Sequence, residues 1–249
     1  MGSRRHALVL LAAAVVCALS GAACGVLAPK YEYEEEIYLQ LDGSATVNVN
    51  ASVASLVALR GVDLPLDPKA RLDRDRVRAL FQGSGITNPR VTLSRRDGRR
   101  FVHITLDVSD VRQLQRQPMF AWSTYRFDRD AEGFSFRQHV GAPATPAGDL
   151  GWTGRELVVF KMHIPSEIPY HNAPSRKTER GNILRWEQPL AARLQGEPLE
   201  VDVRMESESI LYTTLVLFAF TIVAAAATFG AVIWWVVRRG RESEALTSP

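Results

Sequence analysis

"YEYEEEIYLQLDGSATVNVNASV", Tyr31 to Val53, decides how the chain folds. Tyr31, Tyr33, Ile37, Leu39 and Leu41 fall on one face of a two-residue period, and Glu32, Glu34, Glu36 and Gln40 on the other. That is the period of a strand with one side toward a core and one toward water. Asp42-Gly43 supplies a turn, after which Ala45, Val47, Val49, Ala51 and Val53 alternate with Thr46, Asn48, Asn50 and Ser52. Two alternating runs joined by Asp-Gly predict a β-hairpin.

The same logic extends downstream. In "LDPKARLDRDRVRALFQG" (66–83), Asp67 or Asp73 can cap a helix whose apolar stripe is Val77, Leu80 and Phe81, with Gly83 as its stop. "RVTLSRRDGRRFVHITLDV" (90–108) predicts a second hairpin about Asp97-Gly98, with Val102, Ile104, Leu106 and Val108 inward. Ser109 or Asp110 can cap a short helix ending before Pro118. "MFAWSTYRF" (119–127), "FSFRQHV" (134–140), "ELVVFKMHI" (156–164), "ILRWEQP" (183–189) and "LEVDVRM" (199–205) read as further strands, the first with aromatics on both faces. The expected fold class is α+β: one domain over 31–209 with a mostly antiparallel sheet and one or two helices on one face.

The two ends of the chain differ from this body. Arg4, Arg5 and His6 precede an uncharged run from Ala7 to Leu19 and the small residues Ser20 to Ala23, the order of a secretory signal peptide over 1–23. Ile210 to Val237 contains 28 consecutive residues without a charge. As a helix it would be about 42 Å long against a hydrocarbon core near 30 Å, so it predicts a transmembrane helix. Tyr212, Trp234 and Trp235 fit the interfacial aromatic belts, and Arg238, Arg239 and Arg241 predict a cytoplasmic tail over 238–249. The expected location is the bacterial inner membrane, single-pass, with the domain extracytoplasmic. Ala226 and Gly230, small residues four apart, could bring two such helices together as a homodimer.

Charge and cysteine content narrow the function. The net charge of +3 resides in Arg4, Arg5 and the tail, leaving the expected external part formally neutral. Nucleic-acid binding, which depends on neutralising phosphates, therefore loses its warrant. The two cysteines are Cys17 and Cys24. Cys24 is a candidate for lipidation, although Gly21 stands where a large aliphatic residue is usual; ordinary cleavage near Ala23 is the alternative. With lipid on Cys24, the tether 24–30 would bring the first strand's start and the last strand's end to the membrane together. His103, His139, His163 and His171 show no metal-ligand spacing, and no nucleophile or phosphate-cradle motif occurs, so neither an enzyme nor a cofactor is expected.

"LDGSATVNVNASV" (41–53), together with "IPSEIPYHNAPSRKTERGNILRWEQPL" (164–190) ahead of a last strand and a C-terminal apolar segment, resembles the bacterial LppM-type lipoprotein domain family. That resemblance implies an external α/β domain with an apolar cavity for lipid-like molecules. Two functions are thus expected: a module binding a lipid or other amphiphile, or an envelope protein that docks a protein partner. Candidate contacts for ligand or partner are Phe120, Trp122, Tyr125, Trp152, His171 and Trp186.

Overall fold

The computed structural model describes residues 30–144, 151–175 and 178–245, with side chains to residue 239. The signal segment, Cys24 and the tether as far as residue 29 lie outside the described residues. The first hairpin forms as its pattern dictates, β1 (Lys30–Leu39) against β2 (Ala45–Ser52), with Ile37 opposite Val47 and Leu39 opposite Ala45. The turn needs Gly43, whose φ is +85°. The second hairpin pairs β3 (Ile86–Arg96) with β4 (Arg99–Val108) around Asp97 and Gly98, both at positive φ as a two-residue primed turn requires.

Between the hairpins lie two helices. α1 (Val53–Arg60) follows β2 without a break, because the Ser52 hydroxyl caps it by accepting from Ser55 N and Gly61, in the left-handed region, closes it on Val57 O. α2 (Arg74–Leu80) is capped by Asp73 and buries Val77. A 3-10 turn (Val111–Arg116) capped by Asp110 follows β4. Then come β5 (Ser123–Arg129), β6 (Phe134–Val140), β7 (Glu156–His163), β8 (Tyr170–His171), β9 (Ile183–Pro189), α3 (Leu190–Leu194), β10 (Leu199–Met205) and α4 (Ile210–Ala245).

The strands make two sheets, one in the order β3-β4-β2-β1-β7-β9 and one in the order β5-β6-β10-β8. The pairing is antiparallel apart from β1 and β7, which run parallel with Ile37 beside Met162. The fold is therefore α+β as the alternation predicts, with a second sheet that the alternation alone does not reveal. The core between the sheets includes Val47, Val49, Ile104 and Leu106 from one and Phe136, Val201 and Val203 from the other, each no more than 2% exposed. Burying such side chains contributes about 1.5–3 kcal/mol apiece.

Parallel pairing fixes where the ends lie. Lys30 sits beside Glu156, and Tyr38 beside His163. The segment after His163 holds the root of α4, since Pro165 O accepts from Ile210 N at 3.0 Å and from the Ser209 hydroxyl at 3.3 Å. The start of β1 is therefore at the end of the sheet away from α4, separated from it by about 26 Å of strand. This corrects the expectation that the first strand's start and the last strand's end face the same way. That expectation overlooked the parallel partner.

A second correction concerns "MFAWSTYRF". β5 begins at Ser123, and Met119 to Trp122 form turns after Pro118, with Phe120 N donating to Gln117 O and Ser123 N to Phe120 O. Tyr125 and Phe127 share the inward face, while Thr124, Arg126 and Asp128 face out, so the strand does not carry aromatics on both sides.

Gly133 joins β5 to β6 at φ +141°, where a Cβ would lie 2.3 Å from Met205 O. Gly133→Ala should lower stability by about 2–3 kcal/mol, read as a fall in urea midpoint. Gly98→Ala, at φ +73° in open space, should lower it by about 1–2 kcal/mol.

Candidate functional site

Strict two-residue alternation puts Glu35 on the same face of β1 as Tyr33 and Ile37, and the carboxylate is 1% exposed between the sheets. Its Oε1 accepts from the Tyr125 hydroxyl at 2.8 Å and from Gln138 Nε2 at 2.9 Å. Its Oε2 accepts from the Tyr33 hydroxyl at 2.7 Å and from Arg60 Nη2 at 3.2 Å. Four donors saturate the roughly four lone-pair sites of a carboxylate. Burial drives the phenols of Tyr33 and Tyr125 well above their ordinary range, and the adjacent Glu35 charge pushes the same way while Arg60 opposes it. Both tyrosines therefore stay protonated donors.

Arg60 is the last residue of α1, and the turn at Gly61 leaves its guanidinium beneath the sheet. It donates to the Tyr33 hydroxyl as well as to Glu35 and lies 3.5 Å from the centre of the Trp122 ring. Trp122 in turn meets Tyr33 edge-on at 5.4 Å and lies 6.0 Å from Phe160. From α3, Arg193 enters the same place, wholly buried, with Nη1 donating to Val140 O at 3.2 Å and its guanidinium 5.8 Å from Trp122. Burial, and then the charge of Arg60, lower the Arg193 pKa, as expected for two cations held close in a dry setting.

The outer face of the larger sheet is a different, hydrogen-bonded polar surface. Glu36 accepts from His163 Nε2 at 2.8 Å and from Asn48 Nδ2 at 3.4 Å, and His163 stacks on Tyr38 at 3.8 Å. His103 Nδ1 meets Asn50 Oδ1 at 2.9 Å, and Lys161 pairs with Glu34. His103 also meets the Ser94 hydroxyl through Nε2, and no group of three or more His, Cys, Asp or Glu suited to a metal ion occurs among the described residues.

A cleft of about 290 Å³ opens between the irregular segment before α2 and the tip of the β3–β4 hairpin. Ala70, Leu72, Leu93 and Phe101 give it an apolar floor, and Arg71, Arg95 and Arg100 stand around it. Arg100 is held there by donating to Ala70 O at 2.9 Å and to Pro65 O. A larger space of about 750 Å³, sharing Arg71, Leu72 and Leu93, continues it toward Arg74 and Arg78. The hairpin tip is at the end of the sheet away from α4, since Arg96 and Arg99 pair there and Ile86 and Val108 at the other.

Of the six residues proposed from sequence, Trp122 and Tyr125 come together at the Glu35 cluster. Phe120 packs edge-on against Phe81 at 6.1 Å, and Trp186 donates from Nε1 to Asn172 Oδ1 at 2.9 Å. His171 belongs to the short strand β8, opposite Val203. Trp152 packs part-buried against the core. Glu35, Arg60 and Arg193 were missed. The signal for Glu35 was present, an acidic residue in phase with Tyr33 and Ile37, which calls for a buried partner.

No family model and no curated protein matches the chain. Among solved structures, the folded domain of LppM from Mycobacterium tuberculosis, determined by NMR, is similar at TM-score 0.39 and 12% identity, covering 73% of this chain and 95% of that one.

Removing Glu35 should strand Arg60, so Glu35→Ala is expected to cost about 3–5 kcal/mol in denaturant unfolding. The double variant Glu35→Leu, Arg60→Met should recover part of that loss. At Glu36, burial pushes the pKa up, but hydrogen bonds from His163 and Asn48 outweigh it and hold it below the ordinary 4.5. A depressed folded-state pKa stabilises above the unfolded value and is lost as pH falls through the folded one. The drop in urea midpoint from pH 5 to pH 3 should accordingly be smaller in Glu36→Gln than in the parent.

Proposed function

We propose that this protein is a membrane-anchored, extracytoplasmic module of the bacterial envelope that binds an amphiphile with an acidic group and carries out no chemistry on it. Anchoring is supported by α4, where Ile210–Arg239 is long and apolar enough to cross a membrane and none of its apolar window is buried by the rest of the chain. A helix exposing Leu217, Phe218, Phe220 and Val223 on several sides has no solvent but lipid that suits it. The arginines after Trp235 favour a cytoplasmic tail, and hence a body on the outer side.

The observation that carries the binding reading is the cleft before α2. An apolar floor suits a hydrocarbon segment, and the exposed guanidinium groups of Arg71 and Arg95 at its rim suit an acidic end. The cleft lies at the end of the sheet away from the α4 root.

The alternative of docking a protein strand through an open edge has less behind it. The edge strand β3 is blunted by a register irregularity between Thr87 and Arg90, by Asn88 at positive φ, by Pro89, and by Arg95 and Arg96 toward its end. Those are devices that discourage strand addition.

Full-length protein in a neutral maltoside detergent should bind decanoate but not decanol in calorimetric titration. Arg95→Glu and Leu93→Ser should each weaken decanoate by roughly fivefold or more, the loss of one charged or one apolar contact. Equal binding of acid and alcohol, or no effect of either substitution, would refute this reading.

A further inference from the structure

We infer that Arg60, Arg193 and Trp122 form a buried oxyanion site, separate from the surface cleft, at the mouth of the sandwich farthest from α4. The evidence is a set of donors with nothing to donate to. Among the described residues, Arg60 Nε and Nη1, Arg193 Nε and Nη2, and Trp122 Nε1 are all buried without a hydrogen-bond partner. Orphaned buried polar groups are uncommon, and a group of them on one spot points to something that completes it. Every orphan here is an N–H donor, so the missing species is an acceptor.

Charge leads to the same conclusion. Glu35 pairs with Arg60 and not with Arg193, and it is already saturated by Tyr33, Tyr125, Gln138 and Arg60. Glu197 acts on Arg193 through its charge but forms no ion pair with it. Arg193 is left without a bonded counter-ion among the described residues, a cost that a bound anion would offset. Five donor nitrogens also exceed what one carboxylate accepts, whereas a phosphate with three free oxygens presents enough lone pairs for two guanidinium forks and an indole N–H. The chemical class is therefore a phosphate group, either free or at the end of a larger molecule.

Access is built in. Trp122 is only part-buried, and the segment over it is held to the cluster by Gly141 N donating to Trp122 O at 2.8 Å and Ala144 N donating to Leu59 O at 3.1 Å.

The test uses the full-length protein in a neutral detergent at constant ionic strength. Inorganic phosphate and dihexanoyl phosphatidate are titrated separately by calorimetry, with acetate as the control. Saturable binding of either phosphate species, at least tenfold tighter than acetate, is expected. Phosphatidate binding that Arg193→Met removes, without binding of the free ion, would identify a lipid-borne group at this site rather than occupancy of the cleft, and binding of both would show that the free ion suffices. Arg193→Met should abolish this binding, raise Tm in phosphate-free buffer because an unpaired buried charge is gone, and leave decanoate binding at the cleft intact. Arg193→Lys should retain charge but bind phosphate at least tenfold more weakly than the parent. No saturable binding of either species by the parent protein, or unchanged affinity in both variants, would overturn the inference whatever happens at the cleft.

Discussion

A single buried carboxylate organises this protein. Glu35 lies on the inner face of β1 and collects donors from β1, α1, β5 and β6, so that one side chain ties the larger sheet, the smaller sheet and the first helix to a common point. Apolar packing supplies most of the stabilisation between the sheets, but it is non-directional. The carboxylate adds geometry: it has four sites to fill, and only one relative placement of the sheets fills them. The polar cluster also explains why Trp122 leaves the strand. With the chain turning after Pro118, the indole can lie over Arg60 instead of alternating along β5.

From that hub the asymmetry of the molecule follows. One end of the sandwich is closed by the bonds of Pro165 with Ser209 and Ile210, which fuse the body to the root of α4 with almost no linker. The other end carries α1, α3, the hairpin tip and both concentrations of arginine described above. The end of the sandwich bonded to Ser209 and Ile210 thus lies next to α4, and both groups of arginines lie at the opposite end.

Much of the fold was legible in the sequence, because strand alternation with Asp-Gly turns and an Asp-capped helix are local signals. Both hairpins, α2 and the capped turn at Asp110 formed where their residues predicted. Three features were not legible, each for a physical reason. α1, "VASLVALR", is apolar nearly all round and follows β2 directly, so it shows neither period clearly; only Ser52 and Gly61 marked it. The pairing of β1 with β7 joins segments more than a hundred residues apart, and no local pattern encodes a partner. At the site, Trp122 and Tyr125 were found by their aromatic character, whereas Arg60 and Arg193 sit among many surface arginines in the sequence and are distinguished only by burial.

The central claim is that Glu35 is held by two phenols that remain protonated while the protein is folded. Spectrophotometric tyrosine titration to pH 11 tests it most directly, by comparing the parent with Tyr33→Phe, Tyr125→Phe under folded conditions and again in denaturant. The account predicts the same phenolate absorbance for both proteins when folded, and a deficit of two tyrosines for the variant only when unfolded. A deficit of two tyrosines in the folded state at pH 11 would contradict it.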